Sequence, residues 1–387
     1  MFITNNKNVK IHYIVNARIP TERAHGIQLA KMCEAFVDHG VDLTLVAPKR
    51  KNAIKETMES FYGLKNKIKI KKIPVIDLYN SGKLGFRISS VSFAISYFLY
   101  MLGLKLKRKG GIIYTIDMDQ FSFFAIPMLG MPYFTEMHDI KKKSFCHKFF
   151  LKKINGAITI NELIKKEITD KFNLENGKVI VQPNSIDFNN FLGVLDKIES
   201  RKKLGLSLDK KIILYVGKFY DWKGLGILIS LAEKMKDHLI YLVGDREEEL
   251  VKICGADKIP ANLLCQGHRD FKEMPLWQSS ADVLVLLGTK GNDYSWYYTS
   301  PMKLFEYMAA RRPIVASRTP AIEQIVSDSG VFFYEPDNVD DLVNQTKRAL
   351  QNNKETEEKI EEAYQRVKSF SWDKRAESIL EFIKLNK

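Results

Sequence analysis

Residues 211–219 read KIILYVGKF. An apolar run of isoleucine, leucine, tyrosine and valine passes directly into Gly-Lys, the signature of a buried strand that ends in a glycine turn. The stretch decides the fold because it restarts an alternation that has already run once. Upstream, Lys10–Val15 (KIHYIV) reads as a strand. Ile27, Ala30, Cys33 and Phe36/Val37 then recur at helical spacing, up to a stop at His39-Gly40. VDLTLVAP, Ile112–Ile116, Tyr133–Glu136 and Ala157–Ile160 supply further short strands. Downstream of KIILYVGKF come a helix (Leu225–Met235), the strand HLIYLVG, and strands at Leu263–Cys265, Val283–Leu287 and Pro313–Ala316. Two rounds of strand–helix alternation predict two doubly wound α/β domains, each a mostly parallel sheet, facing each other across a cleft.

Bulk properties agree with that reading. The chain has 387 residues and 45% hydrophobic content, enough for two cored domains. Lys and Arg outnumber Asp and Glu by 60 to 46, which directs attention to anionic partners. Cys33, Cys146, Cys254 and Cys265 show no metal-type spacing, as expected of free thiols in a reducing cytoplasm. The opening MFITNNKNVKIHYIV is too short and interrupted an apolar run to be a signal peptide. Ile88–Leu104 carries no charge but is broken by serines, so it reads as a buried or half-buried helix rather than a membrane span.

Four segments carry candidate chemistry. In YYTSPMKLFEYMAARR, residues 297–312, Ser300-Pro301 reads as a helix start with Ser300 as the cap. A helix start of that kind is an anion site, and Glu306 one turn on suits a ribose. In VGKFYDWKG, residues 216–224, Lys218 and Lys223 flank a strand–loop–helix junction suited to a diphosphate. RIPTERAHG, residues 18–26, holds the place of a dinucleotide fingerprint without matching it, so no nicotinamide or flavin cofactor is expected. His138, in Glu136-Met137-His138-Asp139, falls at the carboxyl end of a strand. Each segment alone also fits an ordinary surface turn, amphipathic helix or structural histidine.

Taken in order, these segments resemble the family 4 glycosyltransferases, retaining enzymes of the GT-B fold, over nearly the whole chain. The likeness includes the helix start at His25-Gly26, the pair His138-Asp139, QPNSIDFNNF, GKFYDWKG, LLCQGHRDFKEMPLWQSSADVLVLL, SPMKLFEYMAARRPIVAS and the closing FSWDKRAESILEFIKL. It implies an acceptor-binding domain over 1–190, a nucleotide-sugar-binding domain over 191–370, and a last helix, 371–387, that crosses back to the first. It also implies roles for single residues. Glu306 would hold the donor ribose, and Lys218, Lys223 and the backbone of Met302 and Lys303 the diphosphate, with Ser300 at the helix start. Gly267, His268 and Arg269 would line the base pocket. His25 and Gly26 would lie near the phosphates, and His138 beside the transferred sugar. Tyr298 stands where the family has a sugar-binding glutamate, and Ser185 where it often has glycine. The implied activity is metal-independent transfer, with retention, from a UDP- or GDP-linked sugar to a polysaccharide or lipid-linked glycan of the cell envelope. A catalytically silent nucleotide-sugar binder is the alternative. Nucleic acid is not an expected partner. Lys141–Lys153, KKKSFCHKFFLKK, has six lysines, no acid and interleaved aromatics, so it fits either a solvated helix face or peripheral contact with an anionic membrane.

Overall fold

The computed structural model describes residues 9–117 and 119–387. Most of the opening stretch read above against a signal peptide lies outside them. The first sheet has seven strands: β1 (Lys10–Ile14), β2 (Asp42–Pro48), β3 (Ile70–Ile73), β4 (Ile112–Ile116), β5 (Tyr133–Met137), β6 (Gly156–Thr159) and β7 (Val179–Val181). Their order is β3-β2-β1-β4-β5-β6-β7, and every pairing is parallel. The second sheet has six: β8 (Ile212–Val216), β9 (Leu239–Val243), β10 (Leu263–Cys265), β11 (Val283–Leu286), β12 (Ile314–Ser317) and β13 (Phe332–Tyr334). Its order is β10-β9-β8-β11-β12-β13, again wholly parallel. All five residues of β8 are buried, because helices cover both faces of the sheet. Each aliphatic side chain so buried contributes roughly 1.5–3 kcal/mol. Strand order reverses between β1 and β4 and between β8 and β11, and such points open a ligand crevice at the carboxyl ends.

Six helices matter below: α1 (Ala24–Asp38), α2 (Gly82–Leu106), α3 (Phe145–Lys152), α4 (Asp293–Tyr297), α5 (Met302–Ala309) and α6 (Trp372–Asn386). The chain forms two compact units. One runs up to Pro183 and regains Trp372–Lys387; the other is Asn184–Ser371. The divide falls earlier than residue 190, for a local reason. Asn184 Nδ2 donates to the Ser300 carbonyl at 2.7 Å, and Ile186 N–H donates to the Phe370 carbonyl at 2.9 Å. These bonds carry the stretch after Pro183 into the second unit.

In the first unit, α6 packs on α1 and is fastened by charge. Arg375 and Glu136 are both buried, and the guanidinium donates to the two carboxylate oxygens at 2.5 and 3.3 Å. The Arg375 side chain also donates to the Pro183 and Gln182 carbonyls at 2.9 and 3.3 Å. Glu136 accepts further from Tyr114 Oη at 2.9 Å and Gln28 Nε2 at 2.7 Å. Burial would raise the Glu136 carboxyl, but Arg375 and His138 outweigh it and hold it well below the usual carboxylate range.

Removing one partner of such a pair leaves the other charge buried and uncompensated. We expect Arg375→Ala to cost about 3–5 kcal/mol at neutral pH, read by denaturant unfolding. The native ion pair stabilises fully above the ordinary carboxylate pKa, and its contribution fades as pH falls towards the depressed folded value. Acid also neutralises the orphaned Glu136 of the variant, so the gap in Tm between the two proteins should narrow at low pH.

Candidate active site

The second unit's crevice is built from glycines. Gly217 follows β8, Gly244 follows β9 and Gly267 follows β10 closely. Gly217 N–H donates to the Val243 carbonyl at 2.7 Å, and Gly244 N–H to the Gly267 carbonyl at 3.0 Å. A Cβ on Gly244 would stand 2.1 Å from the Gly217 carbonyl oxygen, and one on Gly217 would stand 2.4 Å from Lys303 Cε. The turns therefore stack backbone on backbone, with Lys303 laid across the first of them. Only glycine permits that approach.

Three lysines gather at this edge. Lys223 Nζ donates to the Lys218 carbonyl at 2.5 Å and lies 4.9 Å from the centre of the Tyr220 ring. Burial, with Lys303 and Lys218 repelling it, presses the Lys223 ammonium well below its usual value, although Asp245 pulls the other way. Burial lowers Lys303 too, against the attraction of Glu306. Asp245 is fixed in the turn after β9, where its carboxylate accepts from Phe219 N–H at 2.7 Å. An anion entering among these ammoniums would relieve their mutual repulsion, and a diphosphate matches the charge.

Glu306, in the second turn of α5, accepts from Gln278 Nε2 at 2.9 Å. Burial raises its carboxyl, opposed by Gln278 and Lys303. The start of α5 differs from the sequence reading. Ser300 does not cap it: its hydroxyl accepts from Asn184 N–H at 3.1 Å, and Pro301 occupies the cap position with no side-chain bond to the helix. Asn184 outcompetes the helix for Ser300 because it grips that residue at both the hydroxyl and the carbonyl. Met302 and Lys303 open the helix proper. Tyr298 ends α4, its ring 5.7 Å from that of Tyr297. Gly267 is buried with φ of +70°, whereas His268 and Arg269 are exposed, and the Arg269 guanidinium lies 5.8 Å from the Trp277 ring centre.

The first unit presents a separate cavity of about 790 Å³ at the carboxyl ends of β1, β2, β4 and β5. His25, His138, Asn16, Arg50, Asp117 and Asp119 are among its lining residues. His138 Nε2 sits 2.7 Å from Glu136 Oε1, and its N–H donates to Asp117 Oδ1 at 3.0 Å. Asn16 Oδ1 accepts from Arg50 at 2.7 Å, and the Arg50 guanidinium lies 4.0 Å from the Tyr79 ring centre. Gly26 is in the first turn of α1, where a Cβ would stand 2.2 Å from Tyr62 Oη, so its packing against Tyr62 and Thr21 already requires glycine. His25 and His138 thus share a cavity in the first unit, whereas Lys218, Lys223, Lys303 and Glu306 gather in the second. Among the described residues no group of three or more His, Cys, Asp or Glu is placed to hold a metal ion.

Sequence reading passed over Gly217, Gly244, Asp245, Gln278, Glu136 and Arg375. A signal for the first three was present: YVGK (215–218) and LVGD (242–245) end successive strands in the same Val-Gly step. Glu136 shares a strand face with His138 by its two-residue spacing.

Comparison with known proteins fits this geometry. Residues 196–366, within the second unit, match the family model described as Glycosyl transferases group 1. An uncharacterized glycosyltransferase of Methanocaldococcus jannaschii, MJ1607, is 28% identical over 240 residues, 59% of this chain. That match spans 60% of the relative's own length. Two solved structures are similar along nearly the whole chain. A glycosyltransferase from Rickettsia africae has a TM-score of 0.72 at 16% identity, covering 97% of this chain and 98% of its own. Anabaena Alr3699/HepE, solved with UDP and glucose, has a TM-score of 0.71 at 15% identity, covering 97% and 100%. The chain has the GT-B fold, two parallel-sheet α/β units, with the match to the glycosyl transferases group 1 model confined to the second.

The glycine stack gives a direct test. Gly244→Ala forces a methyl group against the Gly217 carbonyl, and we expect a loss of about 1–3 kcal/mol in denaturant unfolding. Gly177→Ala, where a Cβ meets nothing within 4 Å, should change stability by less than about 0.5 kcal/mol.

Proposed function

We propose that the chain is a glycosyltransferase that takes a sugar from a nucleoside-diphosphate donor, UDP- or GDP-linked, and transfers it with retention to a polysaccharide or lipid-linked glycan of the cell envelope. The observation that carries this is the meeting of Lys218, Lys223, Lys303 and Glu306 beside the stacked glycine turns. The group 1 domain over residues 196–366 supports it, as do the resemblance to family 4 and the nucleotide-sugar chemistry of structural relatives such as HepE, solved with UDP and glucose.

In this reading Glu306 accepts hydrogen bonds from the donor ribose, with Gln278 holding its other side. Gly267, His268 and Arg269 border the base. Lys218, Lys223 and the start of α5 at Met302 and Lys303 meet the diphosphate, with Ser300 just ahead of the helix. As the sugar–phosphate bond breaks, negative charge grows on the leaving diphosphate, and fixed ammoniums stabilise that charge with no metal ion required. The acceptor hydroxyl attacks the face that the diphosphate leaves and passes its proton to a leaving-group oxygen. His138, with His25 and Gly26 near it, faces the sugar, and Glu136 orients its ring. Tyr298 replaces a carboxylate in sugar recognition, and for that reason a silent nucleotide-sugar binder is the second reading; turnover or slow hydrolysis of a donor excludes it. The protein works in the cytoplasm at the inner face of the membrane, touching anionic lipid through Lys141–Lys153.

Thermal stabilisation by UDP, GDP and ADP tests the donor site. One nucleotide family should raise the Tm, and Glu306→Ala should abolish the shift; no shift with any nucleotide refutes the reading. Burial and the neighbouring lysines disfavour the charged form of Lys223, and a bound anion favours it, so diphosphate binding should be accompanied by net proton uptake. Calorimetry in buffers of different ionisation enthalpy measures that uptake, and Lys223→Met should remove most of it.

A further inference from the structure

Helix α2 has two faces of opposite character. Ser89, Ser90, Phe93, Ala94, Tyr97 and Met101 are buried in the first unit. Tyr97 Oη donates to the Ser122 carbonyl at 2.6 Å, and Ser90 Oγ donates to Asp119 at 3.2 Å. On the other side Leu84, Ile88, Ile95, Leu99 and Leu106 are 69, 38, 54, 61 and 76% exposed. Their intervals alternate four and seven residues, which at 100° per residue keeps all five within an arc of about 60°. Half-buried Val91, Phe98 and Leu102 border the same arc. The stripe extends for about 33 Å along the helix.

Such a stripe on a monomer's surface calls for an occupant, and the charges around it select one. No Asp or Glu occurs between Lys83 and Lys109, whereas exposed Lys83 and Arg87 lie near one end and exposed Lys107, Arg108 and Lys109 at the other, beside Lys105, which donates to the Leu129 carbonyl at 2.5 Å. A second copy would bring the same basic rim against this one, with no acid to pair it. An anionic lipid surface offers hydrocarbon to the stripe and phosphate to the rim. Helix α2 is also the one described helix long and apolar enough to cross a membrane. Its inner face is tied to the first unit, so only the stripe is available to lipid.

We infer that α2 lies in the plane of an anionic membrane, with Leu84, Ile88, Ile95, Leu99 and Leu106 seated among the acyl chains and the basic residues at its two ends on the headgroups. This deepens the membrane contact proposed through Lys141–Lys153 and rests on that peripheral reading, but it uses a different surface and a different force.

The test is co-sedimentation of the full-length protein with vesicles of phosphatidylcholine and phosphatidylglycerol, at low and high salt. Ile95→Glu/Leu99→Glu changes two exposed side chains and should leave the Tm intact, while weakening vesicle binding about tenfold or more at both salt levels. Lys142→Gln/Lys143→Gln/Lys148→Gln should weaken binding at low salt only. In a second measurement, Leu99→Trp should shift its added emission to the blue when vesicles are present. Unchanged binding of the Ile95/Leu99 variant overturns the inference. If the lysine variant alone loses binding, the basic segment stands and α2 does not. If no form binds vesicles, both membrane readings fall. A dimer in sedimentation that the Ile95/Leu99 variant abolishes would assign the stripe to a second copy instead.

Discussion

Glu136 accepts from Arg375, Tyr114 and Gln28 and contacts His138, all inside the first unit. A carboxylate so far from water survives only because these partners replace its hydration. The arrangement makes the last helix a structural part of the sheet it covers. Arg375 is contributed from the far end of the chain, so the first unit is complete only once the second has been synthesised. The same carboxylate that anchors α6 also contacts the ring of His138, the residue just past β5. The packing of α6 and the setting of His138 in the first unit's cavity therefore depend on one charge.

The second unit meets a different constraint. Its crevice needs backbone rather than side chains at its base, so glycines end the strands, and their turns touch. That brings ammonium groups close together: Lys303 lies over Gly217, and Lys223 feels both Lys303 and Lys218. Packed this way, Lys223 and Lys303 lose hydration, and Lys223 is also repelled by its neighbours. Asp245 supplies part of a counter-ion, but burial and repulsion still leave Lys223 far below its normal basicity. In the proposed function an anion entering there would relieve this repulsion, and binding energy so realised would be available to stabilise charge that develops later in the reaction.

The strand pattern was legible because parallel strands buried on both faces are written as unbroken apolar runs. Ile112–Ile116 and Leu263–Cys265 have the same limits in sequence and structure. The edge strands β3, β7 and β13 were not read, although β10, equally short and also at an edge, was: three or four residues leave little pattern to distinguish from loop. Local reading placed Lys218 and Lys223 at one turn, and there they lie together. It failed where a distant partner decides. Ser300 has every local feature of a helix cap, and no sequence rule announces that Asn184 will claim it. Arg375 likewise reads as a surface residue of an amphipathic helix until Glu136 is brought beneath it.

Helix α2 shows the same limit from the opposite side. Its composition is that of a buried helix, and a serine-bearing face is buried, with Ser90 bonded to Asp119. The serines of this helix lower its mean hydropathy and made a membrane role look remote, yet Ser89 and Ser90 are buried, and Ser92 donates to the Ser89 carbonyl. The buried hydroxyls are turned towards the protein, and the exposed stripe of Leu84, Ile88, Ile95, Leu99 and Leu106 is aliphatic. Average hydrophobicity along a segment cannot register that division. Only the placement of each side chain around the helix reveals a surface suited to lipid beneath a composition suited to a core.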